Sequence, residues 1–312
     1  MRFLYVLAML LCLTPLNSAH AAPRARQTVF EADKQSERWS FQYKYTDEAG
    51  KIDAVAFELP TASVVRDNGI PLQFPKRDAV KAELAAVESY AASLKGPKIT
   101  ARASGSGGLR IDVSGRDAGR MRDALNQAQA AAKSALDTYL SRHRYTELRG
   151  GDIAPDHARL AAEYADDVRP VAAALAVGAP DARTFVARAL AFVQAIPYES
   201  GKAGADKGYR RPLSVLARNK GDCDSKSTLF LALVRSAHPA LGAVVVYVPN
   251  HAFAAVALDP VGGDRSFARN GVRYVGVEPV GPARIPVGKV SGKSGWHLFW
   301  HSAETRALPA PK

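Results

Sequence analysis

The sequence predicts an α+β protein in two parts, and three observations carry that prediction. Alternating apolar strands occur in hairpin pairs in both halves, stretches of helical periodicity lie between them, and Gly150-Gly151 separates the two sets. At about 100–200 residues per domain, a chain of 312 residues suggests two domains once a leader is removed.

The leader comes first. Residues 1–22 have the form of a secretory signal peptide: Arg2 gives the positive start, Leu4 to Leu13 is apolar, Pro15 and Asn17 break the run, and Ala19-His20-Ala21 fits a small-x-small cleavage site. The apolar run is about ten residues, against the roughly 20 a spanning helix needs. Leu11 before Cys12 stands where a lipoprotein would carry a small residue. The mature product is therefore expected to be periplasmic or secreted, with no integral membrane segment.

Residues 23–150 form the first expected domain, of unknown role. After a loose lead-in over 23–37, strands are expected at Trp39 to Tyr45 and Ile52 to Leu59 around the Asp47-Glu48-Ala49-Gly50 turn. A helix follows over Asp78 to Leu94, then a hairpin of Ile99 to Ala103 and Leu109 to Val113, then a long helix from Asp117 to Arg142. No constellation of catalytic residue types stands out here.

Residues 151–302 form the second. Helices are expected at 155–175 and 181–195, a Gly- and charge-rich loop at 200–211, a short helix at 213–218 and a helix opening at Cys223. Strands should follow at 243–248, 251–258 and 272–278, and residues 303–312 read as a flexible tail. The 200–211 loop, with Lys202, Lys207, Arg210 and Arg211, is a solvated loop or a basic flap.

Composition bounds the chemistry. Hydrophobic residues make up 47% and charged residues 23% of the chain, ordinary for a folded soluble protein. The net charge of +12 favours anionic partners, but no aromatic-basic pattern points to nucleic acid. Without its leader the chain keeps Cys223 alone, which cannot close an intramolecular disulfide and is either reactive or a buried apolar filler. No G-x-S-x-G occurs. Gly288 to Ser294 mimics a phosphate loop with three intervening residues instead of four and no helix pattern after it. His297 and His301 lack the company a zinc site needs, so no metal and no cofactor are expected.

The segment Gly221-Asp222-Cys223-Asp224-Ser225-Lys226-Ser227 leads into Thr228-Leu-Phe-Leu-Ala-Leu-Val234, nearly continuous apolar sequence that reads as a buried helix. Asp222 is a good N-cap, which puts Cys223 in the first turn, where free N–H groups and the helix dipole favour a thiolate or an oxyanion. Asp224 works against the thiolate.

Two strands supply partners. His251, Phe253, Ala255 and Ala257 share one face; Val272, Tyr274, Gly276 and Glu278 share another. Paired as a hairpin with His251 opposite Glu278, they bring an imidazole and a carboxylate together at one end of the sheet, Cβ atoms about 4.5–5.5 Å apart. Asp259, eight residues past His251 and about 26 Å along an extended strand, is the rival carboxylate and is out of reach.

The runs Phe192-Val193-Gln194-Ala195-Ile196-Pro197-Tyr198, Pro212-Leu213-Ser214-Val215-Leu216, Gly221-Asp222-Cys223-Asp224-Ser225-Lys226, Asn250-His251-Ala252 and Tyr274-Val275-Gly276-Val277-Glu278-Pro279 together resemble the core of bacterial transglutaminase-like cysteine proteases, over roughly residues 151–290. The resemblance implies a papain-like α+β core, a nucleophile helix packed on an antiparallel sheet, with a Cys-His-Asp triad and acyl-enzyme chemistry. Carried over, Cys223 is the expected nucleophile, His251 the base and Glu278, where the family more often has Asp, the orienting acid. Tyr198, Asp222 and Asp224 are the expected substrate contacts. Gln194 is an oxyanion donor or plain helix surface. The expected activity is hydrolysis of peptide or isopeptide bonds in a protein or peptide substrate; transglutaminase-type acyl transfer and a catalytically silent binding module remain the alternatives.

Overall fold

The computed structural model describes residues 25–311 without 69–73, 106–107, 200–208, 282 and 300–301. The expected leader, most of the expected flap and His301 lie outside the described residues.

The first half opens with strands β1 (Gln27–Lys34), β2 (Arg38–Thr46) and β3 (Ile52–Pro60), paired in that order as an antiparallel sheet, then helices α1 (Thr61–Asp67) and α2 (Lys76–Ser93). Hairpin β4 (Lys98–Ala103) and β5 (Leu109–Ser114) precedes the long helix α3 (Ala118–His143), and β6 (Tyr145–Glu147) and β7 (Ile153–Pro155) make a small ribbon. The second half carries α4 (His157–Glu163), α5 (Arg169–Ala176), α6 (Ala182–Ala195), α7 (Pro212–Arg218) and α8 (Cys223–Ala237). Then come β8 (Ala243–Val248), β9 (His251–Val256), β10 (Ser266–Arg269), β11 (Val272–Val277), α9 (Gly292–Phe299) and β12 (Glu304–Ala307), with sheet order β10-β11-β9-β8-β12.

Helix α8 is the axis of the main core. Every residue from Ser225 to Arg235 is buried, as its unbroken apolar sequence requires, and α4, α5, α6 and α7 surround it. One face of the five-stranded sheet, with Val245, Ala252, Ala254, Val256, Val275 and Val277, belongs to this core. The other face, with Val244, Val246, Phe253, Ala255 and Tyr274, packs on Val290 and Leu298 instead. The period of two thus sends alternate residues of β9 to opposite sides.

The core crosses the Gly150-Gly151 joint. Phe41, Tyr43, Tyr45, Val55 and Phe57 of the first sheet lie in the same cluster as α6 and α8; Tyr43 stands edge-on to Phe192 and donates to the Leu216 carbonyl at 2.9 Å. Arg188 grips the Asp53 carboxylate at 2.7 and 2.9 Å. In the first half, α2, β4, β5 and α3 build a separate cluster, around Val87, Ile99, Ala124 and Ala128.

Four expectations need correction. Residues 27–34, expected as lead-in, form β1, whose partner strand β2 supplies the ladder. The expected 155–175 helix is two helices, because Pro170 lacks the N–H an interior position needs and opens α5 instead. The expected tail contains β12, which covers the exposed edge of β8 from Glu304↔Tyr247 to Ala307↔Val244 and leaves Leu308 buried. A helix, α9, does follow the false phosphate loop.

The fifth correction concerns register. His251 does not stand opposite Glu278: Gly276 pairs with Ala255 and Val277 with Ala254, a shift of two residues. The return from β9 is not one loop. Asn270 and Gly271, both with positive φ (48° and 77°), make a two-residue turn of the kind hairpins prefer, and β10 folds against β11 there. Since the tight hairpin is β10–β11, the midpoint between β9 and β11 has no bearing on their pairing. A shift of two preserves faces, so His251 and Glu278 remain on the same side.

Candidate active site

His251 opens β9 because a two-residue turn ends at it. Val248 pairs with His251 across Pro249-Asn250, and Asn250 has φ 58°, the proline-then-left-handed order of a type II turn. Its ring stacks at 5.9 Å from Phe253, two residues on along the same face.

Glu278 lies just past β11. Continuing the observed register by one step sets it opposite Phe253, so His251 is its diagonal neighbour, about 7–8 Å away in such ladders. That gap suits the longer arm of Glu over Asp. His251 Nε2 and Glu278 Oε1 form a short hydrogen bond, and Oε2 accepts from the Ser291 backbone N–H at 3.1 Å. Burial pushes the Glu278 carboxyl up, but the bond to His251, its charge and the Ser291 N–H outweigh it, and the acid is held below its ordinary range. With Nε2 committed to Glu278, Nδ1 is the nitrogen left to exchange a proton.

The loop after Glu278 is clamped from beneath. Gln194 Nε2 donates to the Glu278 and Ile285 carbonyls, both at 2.8 Å; it is neither helix surface nor an oxyanion donor. Lys226, fully buried, donates to the carbonyls of Gln194 (3.3 Å), Ile196 (2.7 Å) and Val280 (2.6 Å). Burial pushes its ammonium down to about 7, yet three acceptors match the three N–H donors of the charged form. Gly281, at φ 55°, passes so close to the Gln194 carbonyl that a Cβ would sit 2.4 Å from its oxygen. Only glycine fits there.

Cys223 is the first residue of α8, behind the Asp222 cap whose Oδ1 accepts from the Ser225 N–H at 2.9 Å. Its thiol donates to Asp224 Oδ1 at 3.2 Å, and the Ala252 backbone N–H, next to His251, lies against the sulfur. Burial first, then the Asp224 charge, push the thiol well up, against the acidified thiol that the helix start predicts. Burial and Asp224 likewise raise Asp222. Tyr198, 46% exposed, bridges to Gly221 and feels the Cys223, Asp222 and Asp224 charges, so it stands beside the thiol. Asp259, past the far end of β9, offers its carbonyl to Arg183 at 2.8 Å.

A cavity of about 360 Å³ opens beside the pair, with Asn250, His251, Glu278, Val280, Gly281 and Ser291 in its walls. The larger groove of about 650 Å³ at Lys133, Glu147, Arg269 and Arg306 contains none of these residues, and Lys133 in it is paired with Glu147.

Residues 169–279 match the family model of the transglutaminase-like superfamily. That stretch is a transglutaminase-like domain. It runs from α5 to just past Glu278 and so contains Cys223, His251 and Glu278 together. No curated protein and no solved structure matches the chain. The transglutaminase-like domain sits in a mixed α+β fold with antiparallel sheets, among the described residues no helix is long and apolar enough to cross a membrane, and no group of three or more His, Cys, Asp and Glu could hold a metal ion.

Sequence reasoning missed the supports of this domain. Ser291 acts through its backbone N–H and the Gln194 side chain binds backbone carbonyls, which no residue pattern reveals. His157, in α4 and outside the matched stretch, is fully buried beside Asp224. A lone histidine at a helix start gave no signal.

Proposed function

We propose that the transglutaminase-like domain belongs to an exported thiol hydrolase that cleaves peptide or isopeptide bonds, with Cys223 as nucleophile, His251 as proton carrier and Glu278 as its orienting acid. The observation that carries this reading is the bond between His251 and the buried Glu278 carboxylate at the strand end whose next residue touches the Cys223 sulfur.

Because the thiol is held protonated at rest, His251 works as a general base. Sγ leaves Asp224 and bonds to the amide carbon, its proton passes to Nδ1, and the carbonyl electron pair moves to oxygen, where N–H groups at the start of α8 receive it. As the C–N bond breaks, Nδ1 returns the proton to the departing amine. Water then adds to the thioester, giving its proton to Nδ1, and the acid and free thiol are released. Glu278 holds the tautomer and balances the transient imidazolium. Tyr198, Asp222 and Asp224 contact the substrate, and the basic net charge suits an anionic one. Residues 1–22 direct export, so the mature chain begins at Ala22 or Pro23; an N-terminus at Met1 on membrane-bound material would contradict that.

An amine in place of water gives transglutaminase-type transfer through the same first half. Turnover of peptide-amide substrates in ¹⁸O water, with and without added amine, tests the reading. One ¹⁸O in the new carboxylate, lost in Cys223→Ala, is expected; an amine adduct instead assigns transfer. Neither product from a folded protein leaves a binding module and sinks the hydrolase.

A further inference from the structure

A second imidazole lies on the other side of the nucleophile. His157 is fully buried at the start of α4, edge-on to Tyr209 and 5.8 Å from the Tyr247 ring. Its Nδ1 is 2.8 Å from Thr228 Oγ1. The Thr228 hydroxyl gives its one proton to the Asp224 carbonyl at 2.9 Å, so Oγ1 can only accept, and Nδ1 must carry a hydrogen. Nε2 then faces Asp224 Oδ2 at 3.6 Å, outside hydrogen-bond range but within ion-pair reach. It has no other partner among the described residues. With the ring fully buried, a bare Nε2 lone pair would face the partly exposed carboxylate as a second acceptor and be left without a donor, which is costly. A proton on Nε2 removes the conflict.

The other oxygen of the same carboxylate accepts from the Cys223 thiol. Asp224 therefore stands between an imidazole and the nucleophile. Asp224 is held below the usual carboxylate range: burial opposes, but His157, the thiol and the charge of His251 prevail. The remaining charged or titratable groups facing this cluster are Asp222, which His157 also draws down, Tyr198 beside the thiol, and Tyr209 and Tyr247 against the imidazole ring.

We propose that His157 is a positioning residue for the nucleophile: a proton on its Nε2, in ion-pair reach of Asp224 Oδ2, offsets the carboxylate charge beside Cys223, so that the sulfur can become anionic during attack. Without it, thiolate formation would place two negative charges about 3 Å apart in a partly buried site. A nearby charge shifts an ionisation by about 1–3 pH units. His157 makes no contact with substrate in this scheme; it acts through Asp224. The inference rests on Cys223 being the nucleophile proposed above.

Alkylation of Cys223 by iodoacetamide across pH reads the thiolate without any substrate, so its outcome is separate from hydrolase activity. His157→Gln is expected to move the alkylation profile up by about one pH unit or more, some tenfold slower at a fixed pH. Asp224→Asn should react at the wild-type rate or faster, and adding Asp224→Asn to His157→Gln should restore the rate. An unchanged profile in His157→Gln, or a double variant as slow as His157→Gln, overturns the proposal. If His157→Gln does not fold, ¹⁵N-histidine NMR of the wild type decides: a proton on each His157 nitrogen is expected, and an unprotonated Nε2 overturns it. If Cys223 in a folded wild type resists alkylation at every pH while the NMR result holds, the nucleophile reading fails and the His157–Asp224 pair stands.

Discussion

Two imidazole–carboxylate pairs flank Cys223, and their surroundings differ. His157 is fully buried, with Nδ1 on Thr228 and Nε2 facing Asp224 at 3.6 Å. His251 keeps 16% of its side chain exposed, spends Nε2 on Glu278 and borders a cavity. An imidazole enclosed in a core can hold a charge but cannot pass a proton to a ligand. One with a nitrogen to spare beside a cavity can do both. The same pair of residue types therefore supports two different tasks, and access separates them.

That contrast can be broken experimentally. The largest effect belongs to the proposed nucleophile: Cys223→Ala should abolish turnover while leaving thermal unfolding near wild type, since the site is only partly buried. Glu278→Gln should come next. With His251 as the proposed general base for a protonated thiol, the proposed orienting acid should matter as in serine triads, where its loss lowers turnover about 10⁴-fold, and a fall of about 10²–10⁴ in kcat is expected. Lys226→Met strips the donor from three buried carbonyls. Each orphaned polar group costs about 1–3 kcal/mol, so chemical denaturation should show a loss of at least a few kcal/mol, with a smaller fall in kcat as the loop after Glu278 loosens. A milder effect follows from the thiol. Because burial is the largest cause that raises it, less thiolate exists at any given pH, and alkylation of Cys223 should rise only above the range of an ordinary cysteine, near 8.5. A profile rising well below pH 8 would mean that His251, not burial, governs the resting sulfur. Asp259→Asn should be smallest, within a few-fold of wild-type activity, because its ties lie at the far end of β9.

What the sequence makes legible follows the range of the interactions involved. The bounds of β8 and of α8 can be read directly, since an unbroken apolar run after an Asp cap specifies a buried helix and Pro-Asn specifies the turn before His251. That His251 and Glu278 share a face is also legible, because strand periodicity fixes parity. Their register is not. It depends on β10, whose four residues look like part of a loop until Asn270-Gly271 is recognised as the tight turn. The supports are the least legible part. Lys226 is in plain view beside Cys223, but its partners are carbonyls of Gln194, Ile196 and Val280, and a carbonyl looks the same in every residue. His157 lies 71 positions from Thr228, and nothing local in α4 connects them. β12 is hidden for a similar reason: Glu304 to Ala307 becomes a strand only because the β8 edge is there to receive it.

In the proposed mechanism Glu278, through His251, drives chemistry at Cys223. The rate at which a peptidyl amide-mimicking electrophile modifies the protein, with the modified peptide mapped by mass spectrometry, tests this. Modification at Cys223 is expected in the wild type and in Asp259→Asn at similar rates, with a rate lower by about 10²-fold or more in folded Glu278→Gln. Equal rates in wild type and Glu278→Gln, or a crippled Asp259→Asn, would contradict it.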